Sequence, residues 1–142
     1  MRKPLLRDGS AVPRIEPAER GQEVERRLLK LFDEAGWRAK APGRRPPARP
    51  DLKIRRAGRQ YGVELKVASE GRSDRLIPLW SQAYLELSRH ADPGQRLVVV
   101  AAPRVSERVV AQLFEFVARN APEAAAGVLD ERWWCGGGAL FG

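Results

Sequence analysis

Apolar residues recur at i, i+4, i+7, i+8 and i+11 in residues 21–36, as Val24, Leu28, Leu31, Phe32 and Ala35, and Gly36 closes the run. That spacing predicts an amphipathic helix. On its wheel Glu23 lies opposite the apolar stripe with Arg27, Lys30 and Glu34, whereas Glu25 borders it beside Leu28, Leu29 and Phe32. Glu25 therefore either pairs with Arg26 or Arg59 or serves a site. Alternation in residues 37–41 predicts a first strand. Residues 42–49 (Pro-Gly-Arg-Arg-Pro-Pro-Ala-Arg) predict a basic, semi-rigid loop, because proline fixes φ and removes a donor. Residues 50–66 then read as two strands joined by a turn at Ala57, Gly58 and Arg59. In the second of them Val63, Leu65 and Val67 share one side, and Glu64 and Lys66 share the other. Asp51 opens the partner strand, where a hairpin brings it beside Glu64.

Beyond the hairpin, residues 69–75 are polar, with Gly71 and four charges, and predict a mobile loop. Residues 76–91 predict a helix with Pro78 in its first turn and with Trp80, Ala83, Tyr84, Leu87 and Ala91 inward; Asp92, Pro93 and Gly94 stop it. His90, at its end, suits the helix dipole. The run Leu97-Val98-Val99-Val100-Ala101 within residues 96–102 predicts a strand covered on both faces. Ser106 is placed to cap a helix over residues 107–119 that buries Val109, Val110, Leu113, Phe114 and Val117. Residues 125–129 predict a last strand. The order helix, three strands, helix, strand, helix, strand predicts an α/β fold, a mixed central sheet flanked by helices. It assigns residues 1–19, with Pro4, Pro13 and Pro17, to a flexible arm, residues 20–130 to the domain, and residues 131–142 to an aromatic and glycine-rich tail.

Composition narrows the class. A chain of 142 residues holds one core, and its 43% apolar and 31% charged content is that of an ordinary globular protein. No apolar run approaches the roughly 20 residues of a membrane helix, and no apolar segment follows the N-terminal charges as in a secretory leader. Cys135 is single, which excludes an internal disulfide and a cysteine-based metal site, so a reducing cytoplasm is expected. The net charge of +8 changes the picture once located: residues 37–66 carry 10 basic and 2 acidic side chains and supply the whole excess. Those two acids are Asp51 and Glu64. Such a segment is either a solvated arginine-rich face, a surface for an acidic protein, or a phosphate-binding surface. Two carboxylates and Lys66 converging at strand ends fit the third, because hard oxygen ligands hold Mg²⁺ or Mn²⁺ against a phosphate.

Pro50-Asp51, then Glu64-Leu65-Lys66 after twelve intervening residues, resembles the PD-(D/E)xK nuclease superfamily, with its restriction-endonuclease-like fold. The first helix, Glu25 followed by Arg-Arg-Leu-Leu-Lys-Leu-Phe-Asp-Glu-Ala-Gly-Trp, is similar to that of archaeal Holliday-junction resolvases. The resemblance covers residues 20–102. It implies a Mg²⁺-dependent deoxyribonuclease in which Asp51, Glu64 and the Leu65 carbonyl bind metal and Glu25 supports it. Metal would activate a water and stabilise the leaving oxygen, while Lys66 positions the phosphate or the water. Gln82 would stand near the site, and Arg44, Arg45, Arg49, Lys53 and Arg72 would follow the nucleic-acid backbone. It further implies a homodimer or a partner domain, with Trp133, Trp134 and Phe141 at an interface or in the core. The alternative on the same fold is a non-catalytic nucleic-acid-binding or regulatory module. Against the motif stands the reading of Glu64 and Lys66 as an exposed charge pair on an edge strand.

Overall fold

The computed structural model describes residues 17–40, 52–130 and 134–136 of the chain. Its elements are α1 (Pro17–Glu34), β1 (Arg38–Lys40), β2 (Leu52–Arg56), β3 (Arg59–Val67), α2 (Ser73–Leu87), β4 (Arg96–Ala101), α3 (Glu107–Asn120), β5 (Ala125–Leu129) and β6 (Trp134–Gly136). The six strands form one mixed sheet in chain order. β1, β2 and β3 are an antiparallel meander; β3, β4 and β5 are parallel; β6 returns antiparallel to β5. β3 is thus the strand where antiparallel pairing gives way to parallel pairing.

The expected α/β architecture follows from side-chain alternation. In β4 every residue is buried, with Leu97, Val99 and Ala101 facing α1 and Val98 and Val100 facing α2 and α3. One core gathers Val24, Leu28 and Phe32 of α1 with Trp37, Leu52, Ile54 and Val63. The other gathers Leu76, Trp80, Ala83 and Leu87 of α2 with Val110, Leu113 and Val117 of α3. The β2–β3 link is a two-residue turn with Ala57 at φ 49° and Gly58 at φ 79° between the paired residues Arg56 and Arg59. Positive φ at both centres matches the twist of a hairpin, and Gly58 adopts it without steric cost.

Several expected boundaries move. α1 begins at Pro17, inside the segment read as an arm, with proline in the first helical position where its missing N–H costs nothing. α2 begins at Ser73 rather than at Leu76, because Leu76 and Trp80 are both buried and the preceding turn must already be helical. Pro78 consequently lies within the helix, not in its first turn. Within residues 69–72, Gly71 passes close to the link before α3: a Cβ on it would sit 2.7 Å from the Pro103 carbonyl oxygen and 3.0 Å from that of Arg104. β6, in the segment read as a tail, extends the sheet, with Leu129 paired to Trp134. Ser106 caps α3 as expected, its Oγ accepting from the Val109 N–H at 3.2 Å.

Candidate functional site

In β3 the residues Tyr61, Val63, Leu65 and Val67 face the α1 core. Strand alternation therefore turns Gly62, Glu64 and Lys66 toward the layer of α2. The partner of Lys66 agrees: its Nζ is 3.1 Å from Glu86 Oε2 on α2. Gln82, one turn earlier on the helix, donates from Nε2 to Glu86 Oε1 at 3.4 Å. Lys66, Glu86 and Gln82 thus form one polar chain across the strand–helix junction. Glu64 beside them is only 5% exposed. Glu64 is buried and Lys66 is partly buried, so the two are not an exposed charge pair. A buried carboxylate is costly to desolvate unless it is hydrogen-bonded or paired.

Beside Lys66, a cavity of about 470 Å³ opens between the end of β3 and the start of α2, lined by Val67, Ser69, Asp74, Arg75, Pro78 and Gln82 among others. The described part of β2 starts at Leu52, paired with Val63. From Glu64 to Val67 the described ladder partner of β3 is therefore β4 alone. Asp51 lies outside the described residues, as do Arg44, Arg45 and Arg49. Among the described residues no three of His, Cys, Asp and Glu cluster as a metal site.

Glu25 sits half-buried on α1, the layer on the opposite face of the sheet from Glu64 and Lys66. The two arginines weighed as its partners are engaged elsewhere: Arg26 pairs with Glu23 at 3.1 Å, and Arg59 donates to the Tyr61 hydroxyl at 2.9 Å. The Leu65 side chain packs toward α1. The Arg72 Nε contacts Glu70 at 3.1 Å and Asp74 at 3.3 Å, so its charge is already compensated. Lys53 is exposed on β2 opposite Gly62, hence on the face of Glu64 and Lys66.

That face holds more charge than the motif suggested. Arg55 is opposite Gln60, Arg38 is opposite Arg55, and Lys40 is in register with Lys53. Arg38, Lys53 and Arg55 are exposed, and none has an ion-pair partner among the described residues. Glu86, Arg38 and Arg55 are the residues that the sequence reading passed over. The signal for the two arginines was present, since strand parity puts both on the face of Lys53. Glu86 carried no such signal, because its pairing with Lys66 depends on where α2 crosses the sheet.

A second polar cluster has a structural role. Arg96, at the start of β4, donates to the Ala91 carbonyl at 2.8 Å and to the Tyr84 hydroxyl at 3.1 Å. The Tyr84 hydroxyl in turn donates to Glu123, ahead of β5. That hydrogen bond raises the Tyr84 pKa above the ordinary phenol value, with burial adding to it, and lowers that of Glu123 below the usual carboxylate range. Tyr84 also stacks on Trp80 with centroids 5.3 Å apart. The cluster ties α2 to the β4 and β5 entries.

Comparison of the chain with protein-family models, with curated proteins and with solved structures found no match.

Proposed function

We propose that the chain is a metal-dependent nuclease that hydrolyses phosphodiester bonds in DNA, with Asp51 and Glu64 as metal ligands and Lys66 holding the phosphate or the attacking water. The observation that carries the reading is that a buried carboxylate, Glu64, and Lys66 share one face of β3, next to an exposed basic face. The helix, meander, helix and strand order is also what a restriction-endonuclease-like fold requires. The donors suit the ion: Glu64 and Asp51 offer hard oxygens, with the Leu65 carbonyl between Glu64 and Lys66 in sequence. The proposal requires that Asp51, directly before Leu52, continue the β2–β3 register to a position opposite Glu64. A bound Mg²⁺ would supply Lewis acidity and lower the pKa of a water.

The chain's own side chains have separate tasks. Lys66 carries the positive charge that meets a phosphate, and Glu86 fixes where that charge sits. Gln82 restrains Glu86. Glu25 could act only by reaching around the end of the sheet, which makes it the weakest member of the set.

One observation favours a second reading, a nucleic-acid-binding or regulatory module without catalysis: Lys66 is engaged by Glu86 at 3.1 Å. The two separate in one experiment. Plasmid, linear duplex, single-stranded DNA, a four-way junction and RNA are incubated with Mg²⁺, Mn²⁺ or EDTA, with Glu64→Ala and Lys66→Ala proteins alongside. Metal-dependent cutting that both substitutions abolish is expected. Salt-sensitive binding without cutting by the unsubstituted protein would overturn the nuclease in favour of the module.

A further inference from the structure

On the meander face that carries Glu64 and Lys66, side chains alternate strictly and none of those that point there is apolar: Arg38 of β1, Lys53 and Arg55 of β2, and Gln60, Gly62, Glu64 and Lys66 of β3. The aromatic residues Trp37 and Tyr61 are on the other face, in edge contact with centroids 5.7 Å apart. The helices leave this area open: α2 packs on β3 and β4, and α1 lies on the reverse side. Some cations elsewhere on the surface have local carboxylates, as Arg26 has Glu23 and Arg119 has Glu115. Here instead like charges stand directly opposite one another, Arg38 against Arg55, a cross-strand pairing that destabilises a sheet. A ligand with negative charge would relieve that repulsion.

Resting on the nucleic-acid reading above, we propose that Arg38, Lys53 and Arg55 form a track for the sugar-phosphate backbone, leading along β2 and β3 to Glu64 and Lys66. The register sets the spacing. Arg55 is level with Gln60 and Lys53 with Gly62; Glu64 and Lys66 follow at two-residue intervals. Each interval is about 6.7 Å, so the track runs roughly 20 Å from Arg55 to Lys66. Measured along a duplex axis, that length is about six base pairs at 3.4 Å each. A line of cations ending at a carboxylate and a lysine suits a linear polyanion better than a flat membrane or a compact acidic protein. With no aromatic among the described residues of this face, the track grips phosphates and does not stack bases, so it binds without regard to sequence.

The test is binding in EDTA, where no metal-dependent cutting intervenes, of labelled DNA duplexes of two unrelated sequences across 50–300 mM NaCl. Phosphatidylserine vesicles and a polyglutamate peptide serve as competing anions. For the triple variant Arg38→Gln, Lys53→Gln, Arg55→Gln, the slope of log K against log salt should fall by about 2.7, roughly 0.9 for each lost phosphate contact. Affinity near 0.1 M salt should drop on the order of 100-fold, equally for both sequences. Circular dichroism checks folding, and the single variant Arg55→Gln should lower the slope by about 0.9 by itself. An unchanged slope in the folded variants overturns the track, as does tighter binding of the vesicles or the peptide than of the duplex. A lost slope in the triple variant upholds the track even if the protein never cuts; cutting with an unchanged slope upholds the nuclease and removes the track.

Discussion

If the basic face is kept for a ligand, the free protein bears a cost that a single substitution relieves. Arg38 and Arg55 are Cα partners across the β1–β2 ladder and both are exposed. Directly opposed side chains start from Cβ atoms about 5 Å apart. With head groups splayed to ~6 Å in water, two like charges repel by ~0.7 kcal/mol. Arg38→Glu turns that repulsion into attraction, a swing of ~1.4 kcal/mol, of which about 1 kcal/mol survives the entropy of ordering two long side chains. For a chain of this size the gain should raise the melting temperature by about 3–5 °C. The assay is thermal unfolding in 20 mM and in 1 M NaCl, where the screening length of about 3 Å should remove most of the gain. A double-mutant cycle with Arg55→Gln separates the pair from the general relief of net charge. The reasoning is refuted if Arg38→Glu brings no gain at low salt, if the gain is the same at 1 M, or if the cycle shows no coupling.

Three further outcomes are expected. Ala57→Asn should stabilise the hairpin by about 0.5–1 kcal/mol in urea unfolding, because Ala57 occupies φ 49° and Asn accepts that conformation more readily; no gain would mean that the turn is not strained. Gly71→Ala should cost about 1–3 kcal/mol, since its Cβ would lie 2.7 Å from the Pro103 carbonyl oxygen and backbone must move to admit it; an unchanged melting temperature would show that the β3–α2 link is not packed as described. Glu123 has a lowered pKa and Tyr84 a raised one, both chiefly through their shared hydrogen bond. The Glu123 contribution to stability should be present above the ordinary carboxylate pKa and disappear as pH falls through the lowered value. The Tyr84 contribution should be present below the ordinary phenol value and disappear as pH rises through the raised one. Tyr84→Phe should flatten both limbs of a stability-against-pH curve, and identical curves would discount the bond.

The parts of the fold legible in sequence are those in which local pattern and tertiary burial agree. β5 falls on residues 125–129 as read, and the alternation that separates Glu64 and Lys66 from Val63, Leu65 and Val67 is the alternation of β3. The start of α2 differs from the expectation because Pro78 reads as a first-turn signal, whereas the helix begins at Ser73 and carries Pro78 inside it. β6 could not be read from a segment of glycine and aromatics, since its strand exists only by pairing with β5. At the site, the strand faces were legible and the contact was not. Lys66 meets Glu86 through the crossing of α2 over the sheet, which no sequence spacing encodes. Arg38 and Arg55 were within reach, had the parity of β1 been carried across the meander.

The most direct measurement compares the unsubstituted protein with Glu64→Ala on one labelled DNA substrate, scoring cleavage in Mg²⁺ and affinity in EDTA. The expected result is a loss of cutting of at least about a thousandfold, with affinity within about threefold, as for a group needed in the chemical step but not for binding. Equal cutting by both proteins, or none by either, would contradict Glu64 as the centre of a nuclease site.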